Sequence, residues 1–195
     1  MESVFVGIEI GGTKIQVVTG DGKASIVGRQ RFTADPAVGA EGIRGQIAGA
    51  LANIAGRQQI AAIGVGFGGP FNRETGRACC SHQVTGWDDF PLRDWLSEQV
   101  AGVPVAIEND GNTAALGEAI AGAGQGQSPV FYVTLGSGIG GGLVGRRRDR
   151  ARTRRRNRDG VGDADVLAGK YDGRSVGLSG EDATERGGLV DACGE

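Results

Sequence analysis

Four short stretches carry residue types suited to handling phosphate and hydroxyl groups. The first is "GIEIGGTKIQ", residues 7–16. Gly11 and Gly12 let the backbone approach an anion, Thr13 and the backbone N–H groups can donate to it, and Lys14 adds positive charge. Glu9 closes the preceding apolar run and is an oxygen ligand of the kind that holds Mg²⁺ through a water molecule. A plain hairpin turn would use the same residues. The second stretch, "GVGFGGPFNRETGR" (64–77), ends an apolar run in Gly68, Gly69 and Pro70. Such a loop either presents its backbone to a small polar ligand or simply turns the chain. The third, "VAIENDGNTAALGE" (105–118), is the most chemical. Glu108, Asn109 and Asp110 fall where a strand gives way to a helix, so Asn109 can bond a ligand hydroxyl and Asp110 can take a proton from one. Capping of the helix by Asn109 or Asp110 is the alternative, and a base fixed at a helix start would serve both roles. The fourth, "TLGSGIGGGLV" (134–144), offers Gly136, Ser137, Gly138 and Gly140 as a second phosphate cradle, although it is not a G-x-x-x-x-G-K-[ST] loop.

Other chemistries find little support. His82 is the one histidine, on a polar connection, which argues against a Ser/His/Asp triad or a histidine-rich metal site. Cys79, Cys80 and Cys193 are odd in number and form no C-x-x-C pair, so a disulfide framework is not expected, and Cys79 and Cys80 read as packing residues. No apolar run reaches the length of a membrane span. The start "MESVFVGIEI" has no basic n-region and enters a strand pattern at once, so the expected compartment is the cytoplasm.

The elements that would position these stretches follow from periodicity. "VFVGIEI" (4–10) and "KIQVVTG" (14–20) flank a glycine turn, and "GDGK" (20–23) leads into "ASIVGRQRF" (24–32), so three antiparallel strands open the chain. Residues 41–57 place Ile43, Ile47, Ala50, Leu51 and Ile54 on one helical stripe. A buried strand (60–70), a helix (91–100), a short strand (103–110), an alanine-rich helix (111–124) and a strand–turn–strand (129–144) complete the order. Three hairpin strands followed by alternating helix and strand predict an α/β fold with a mixed, five-stranded sheet. The closing hairpin looks like the opening of a second copy of the unit, and two copies facing each other would suit a nucleotide bound between them.

Taken together, the four stretches resemble the ROK family of sugar kinases, within the actin-like ATPase (ribonuclease H-like) superfamily. The resemblance covers residues 3–144 in order and spacing. It implies ATP-dependent, Mg²⁺-assisted phosphorylation of a hexose, as in glucokinases. It assigns Gly11, Gly12, Thr13 and Lys14, with Gly136, Ser137, Gly138 and Gly140, to the two phosphate hairpins. Gly68, Gly69, Pro70, Glu108, Asn109 and Asp110 fall to the sugar site, with Asp110 as general base. Glu9 stands where many members carry Asp. The implied division is residues 1–124 as the first actin-like subdomain, 125–144 as the start of an incomplete second one, and 145–195 as a poorly ordered tail outside the family pattern. Family repressors place a helix-turn-helix before this domain, and a first strand at residue 4 leaves it no room. The expected partners are a sugar and ATP, with a homo-oligomer left open; neither a membrane nor nucleic acid is expected.

The pattern breaks at residue 145. Residues 145–158 hold nine arginines, and the family's E-x-G-H stretch and cysteine-rich zinc motif do not follow. One reading is a basic arm, which would make the chain a non-catalytic sugar sensor or a nucleic-acid-binding regulator. The other is a change of reading frame. In GC-rich codons read from the second base, residues 145–159 permit V-D-G-A-I-V-R-G directly after "GGGLV", and Asp149 and Asn157 each become Ile or Thr. The frame change is the reading the sequence favours, and it implies little or no kinase activity for this chain. Sequencing the DNA around codon 145 checks it: the shifted frame should carry G-H and C-x-C-G downstream, whereas a shifted frame closed by stop codons would leave the basic arm.

Overall fold

The computed structural model describes residues 3–35, 37–81, 84–135, 139–146 and 164–167. Strand β1 (Ser3–Ile10) is central. Its even residues Val4, Val6, Ile8 and Ile10 are buried and its odd ones are not, the period of two expected of a strand with one face on the core. β2 (Lys14–Gly20) pairs antiparallel with β1, and β3 (Ile26–Thr33) antiparallel with β2. Helix α1 (Gly39–Ala55) then crosses to β4 (Gln59–Phe67), which lies parallel to β1 on its other side. Helix α2 (Leu92–Gln99) leads to β5 (Val105–Asn109), parallel to β4. The sheet order is β3-β2-β1-β4-β5, a mixed, five-stranded α/β sheet as the sequence predicted.

One hydrophobic core lies on the even face of β1. The α1 stripe Ile43, Ile47, Ala50, Leu51 and Ile54 is buried in it, as are Leu92 and Leu96 of α2. Trp87 is fully buried and meets Phe67 and Phe90 edge to face, at centroid distances of 5.4 and 5.6 Å. α1 starts two residues before the predicted Glu41. Gly39 takes φ +67, a left-handed conformation that admits the chain into the helix, and a Cβ there would sit 3.1 Å from the Thr85 carbonyl.

Helix α3 (Asp110–Ala121) packs on the opposite face of β4. That face is bare at Gly66, where an added Cβ would sit 3.5 Å from the Asp110 Cα and from Thr113. β6 (Val130–Leu135) and β7 (Ile139–Arg146) form an antiparallel hairpin against α3. β8 (Ala164–Leu167) adds to β7, with Val166 opposite Val144 and Leu167 opposite Leu143. The end of β7 together with β8 is the described part of the stretch 145–195, for which the sequence predicts a poorly ordered tail outside the family pattern. β7 runs on to Arg146, and "ADVL" supplies a short apolar partner for its edge. The rest of the arginine-rich run lies outside the described residues.

The α3–β7 contact is backbone against backbone. A Cβ on Gly142 would lie 2.7 Å from the Gly111 carbonyl oxygen and 2.8 Å from the Ala115 Cβ. A Cβ on Gly111 would lie 2.8 Å from the Gly141 carbonyl oxygen. Gly45 and Gly49, exposed on α1, have nothing within 4 Å of such an atom. Opposite responses to the same substitution follow. Gly142→Ala should destabilise the fold by about 1–3 kcal/mol through overpacking, while Gly45→Ala should stabilise it by up to about 1 kcal/mol through helix propensity. Urea unfolding midpoints of the two variants check both signs.

Candidate functional site

The two parallel pairings bring three strand ends level. Ile10 of β1 is opposite Phe67 of β4, and Phe67 is opposite Asn109 of β5. The residues that follow, Gly11, Gly68 and Asp110, therefore leave the sheet side by side at the carboxyl ends of its parallel strands, the edge where open α/β sheets bind ligands.

Gly68 is the centre of this group. Its N–H donates to the Ile10 carbonyl at 2.9 Å. An added Cβ would lie 3.2 Å from that oxygen, 3.3 Å from Asp110 Oδ2 and 3.7 Å from the Gly11 Cα. Gly69 is equally closed to a side chain, with the Cys80 carbonyl 2.9 Å and Phe67 Cε1 2.8 Å from its Cβ position. Across the turn, Gly11 N–H donates to the Lys14 carbonyl at 3.1 Å, and Thr13 and Lys14 are exposed.

Asn109 caps α3. In extended backbone (φ −60, ψ 145), its side-chain oxygen accepts from Gly111 N–H at 3.0 Å and Asn112 N–H at 3.4 Å. The capping that the sequence left as an alternative is thus present, and it holds Asp110 at the first helical position. Asp110 Oδ1 accepts from the Gly111 N–H at 2.8 Å, while Oδ2 faces Gly68. A carboxylate at this position is also favoured by the positive end of the helix dipole.

Glu108 differs from its neighbours, because protein donors surround its carboxylate. Arg73 Nη2 lies 2.9 Å from Oε1 and 2.8 Å from Oε2, Asn109 N–H donates to Oε1 at 2.8 Å, and Asn112 Nδ2 does so at 3.0 Å. The loop carrying Arg73 is itself fixed. Arg93 of α2 donates to the carbonyls of Arg73 (2.7 Å) and Glu74 (2.9 Å), and Gly76, at φ +70, lies under the Arg93 side chain. Arg77 pairs with Asp89 at 2.6 Å, which holds the Asp89 carboxyl below its usual range and the Arg77 guanidinium above its own.

Glu9 accepts a hydrogen bond from Gln16 Nε2, and Gln16 Oε1 accepts from Arg31 Nε at 3.1 Å, a polar line across β1, β2 and β3. Glu9 is paired with Gly66, over which α3 begins, so its carboxylate shares a sheet face with the start of that helix. A lone hard oxygen donor there fits a hydrated Mg²⁺ rather than direct multidentate ligation. Among the described residues, no group of three or more His, Cys, Asp or Glu side chains forms a metal cluster. Two cavities, of about 280 Å³ beside Arg29 and Arg57 and about 230 Å³ beside Gly39 and Arg44, lie elsewhere and contain none of these residues. Of the predicted site residues, Gly136, Ser137 and Gly138 lie outside the described residues, as does His82. Gly140 is described, 3.2 Å from Thr134 Cγ2 at its Cβ position.

This arrangement can be set beside known proteins. The ROK family profile matches residues 5–148. The chain belongs to the ROK family. It is 38% identical over 144 residues to a glucokinase of Halalkalibacterium halodurans, covering 72% of this chain and 43% of that protein. To a glucokinase of Streptomyces coelicolor it is 34% identical over 139 residues, covering 71% of this chain and 43% of that protein. A solved ROK glucokinase of Streptomyces griseus, in complex with glucose and AMPPNP, superposes with a TM-score of 0.64 at 36% identity, covering 72% of this chain and 44% of that one. A ROK transcriptional regulator shares the fold at a TM-score of 0.60 and 16% identity. The chain spans about 43% of the length of the curated glucokinases it matches. As a ROK protein it has the actin-like ATPase fold that the sequence implied.

Arg73, Asn112 and Arg93 are the site-supporting residues that sequence reasoning passed over. Arg73 and Glu108 are 35 positions apart, and nothing local to either marks the pairing.

Proposed function

We propose that the group formed by Gly68, Asn109 and Asp110 is the sugar side of a hexose kinase site, with ATP as phosphoryl donor and glucose the first hexose to test. The observation that carries this is the Asp110 carboxylate held at the start of α3 with Oδ2 facing the side-chain-free backbone of Gly68. A hydroxyl seated there would meet a fixed base and a wall that no side chain crowds. The relatives named above, glucokinases from several bacteria, support the substrate class.

In this reading Asp110 Oδ2 accepts the proton as the sugar oxygen forms its bond to the terminal phosphorus and the bond to ADP breaks. Asn109 spends its Oδ1 on the helix cap, which leaves its Nδ2 to orient the sugar. Gly68, Gly69 and Pro70 line the pocket through backbone, while Gly11, Gly12, Thr13 and Lys14 receive the phosphates. Gly136, Ser137, Gly138 and Gly140 would face them from the second hairpin. Mg²⁺, held through water near Glu9, would supply charge neutralisation on the phosphates. Glu108, surrounded by protein donors, supports the turn rather than reaching for sugar. We read residues 1–124 as one subdomain acting in the cytoplasm and 125–144 as the opening of the second. Because the family match ends at residue 148 while the sequence runs on to 195 in a different pattern, we infer that turnover by this chain is low. The regulator reading depends on the basic run at 147–158, outside the described residues.

A coupled ATP assay over a panel of hexoses, with calorimetric binding alongside, tests this. A hexose such as glucose should bind, Asp110→Asn should remove any residual transfer, and turnover should fall at least about a hundredfold below a full-length ROK glucokinase run in parallel. Robust turnover would refute the impairment, unchanged transfer by the Asp110 variant would refute its role, and no binding of any hexose would refute the site.

A further inference from the structure

We propose that Arg73 is a positioning residue of this site: its guanidinium fixes the Glu108 carboxylate and, through it, the Asn109–Asp110 turn against the loop that begins at Gly68. The inference rests on the reading of residues 68–70 with Asn109 and Asp110 as the sugar site.

The two walls of that site belong to different crossovers. Gly68, Gly69 and Pro70 follow β4, while Asn109 ends β5 and Asp110 follows it. Both ends are set by sheet register, but the segments beyond the sheet need their own link. Glu108 provides it by accepting from three sources: Arg73 in the β4 loop, its neighbour's N–H in the turn, and Asn112 in α3. The link is oriented at both ends. Arg93 grips the Arg73 and Glu74 carbonyls, so the arginine projects from anchored backbone. Asn112 is 1% exposed and its Oδ1 has no hydrogen-bond partner among the described residues, so the bond to Glu108 is what orients its side-chain amide.

Charge explains why the donor should be a cation. Glu108 and Asp110 place two carboxylates within three residues, at a ligand site that would also receive phosphate. Without Arg73, Glu108 keeps only neutral donors beside a second anion, and its carboxylate gains freedom to turn outward. The pair is partly exposed, with the Arg73 side chain at 47% and the Glu108 side chain at 25%. Pairs this open contribute little to stability. The consequence of losing it is therefore misplacement of the turn, with the fold intact.

The test compares Arg73→Met, which keeps length but loses charge, with Arg73→Lys, which keeps charge. Glucose and AMPPNP are titrated separately into the intact chain. Arg73→Met should weaken glucose binding about threefold to fivefold, the equivalent of one exposed ion pair. Arg73→Lys should recover it, with AMPPNP affinity and the urea midpoint unchanged in both. Unaltered glucose affinity in Arg73→Met, or a parallel loss of nucleotide affinity, would overturn the proposal. A chain that binds no hexose would overturn the sugar reading alone. In that case amide hydrogen exchange at Gly111 and Asn112, the N–H groups capped by Asn109, decides the positioning role. Faster exchange there in Arg73→Met, with Ile47 and Ile63 unchanged, sustains it, and equal rates refute it.

Discussion

The level alignment of Ile10, Phe67 and Asn109 is the constraint on which the site depends. It follows from two parallel pairings, β1 with β4 and β4 with β5, and a slip of either would carry the strand's buried set to the wrong face. Register is held by burial: Ile8, Ile10, Val65 and Phe67 must all stay in the core shared with α1 and α2. The placement of the Asp110 carboxylate is thus fixed by buried apolar residues at a distance from it. This is the advantage of strand ends as a platform, because the energy that sets their positions is spread over a whole core.

The second recurring device is the absence of side chains. Gly66 lets α3 lie close over β4, Gly68 keeps the space before Asp110 open, and Gly111 with Gly142 lets α3 meet β7 backbone to backbone. Glycine costs conformational entropy, and the chain's 38 glycines carry that cost. At these positions the return is proximity, since any Cβ would separate elements that the site needs close together. The α3–β7 contact also joins the helix bearing Asp110 to the hairpin bearing Gly140, the two parts that the proposed reaction would require to face each other.

Much of this was legible in the sequence, for reasons that differ by element. β1 and β2 alternate on either side of a glycine turn, and α1 carries an uninterrupted apolar stripe, so local pattern sufficed. The turn at Glu108, Asn109 and Asp110 was legible because a strand-to-helix junction with three polar residues has few conformational options. The support around it was not. The Arg73–Glu108 link spans two elements, and the Arg93 grip on the loop uses main-chain carbonyls that have no signature in sequence. The glycine-rich stretch 134–144 read as a phosphate cradle through Gly136, Ser137, Gly138 and Gly140, yet its Gly141 and Gly142 pack against α3, which only the tertiary arrangement reveals. β8 was missed because a four-residue segment in a charged tail has too short a pattern to read.

The convergence of Gly11, Gly68 and Asp110 would make this edge of the sheet the ligand edge of the molecule. Backbone amide shift mapping by NMR, with glucose added to the ¹⁵N-labelled chain, tests it most directly. The perturbed amides should cluster at residues 68–69 and 108–111, with the cavity of about 280 Å³ beside Arg29 and Arg57 silent. Shifts centred on that cavity, or spread evenly over the sheet, would contradict it.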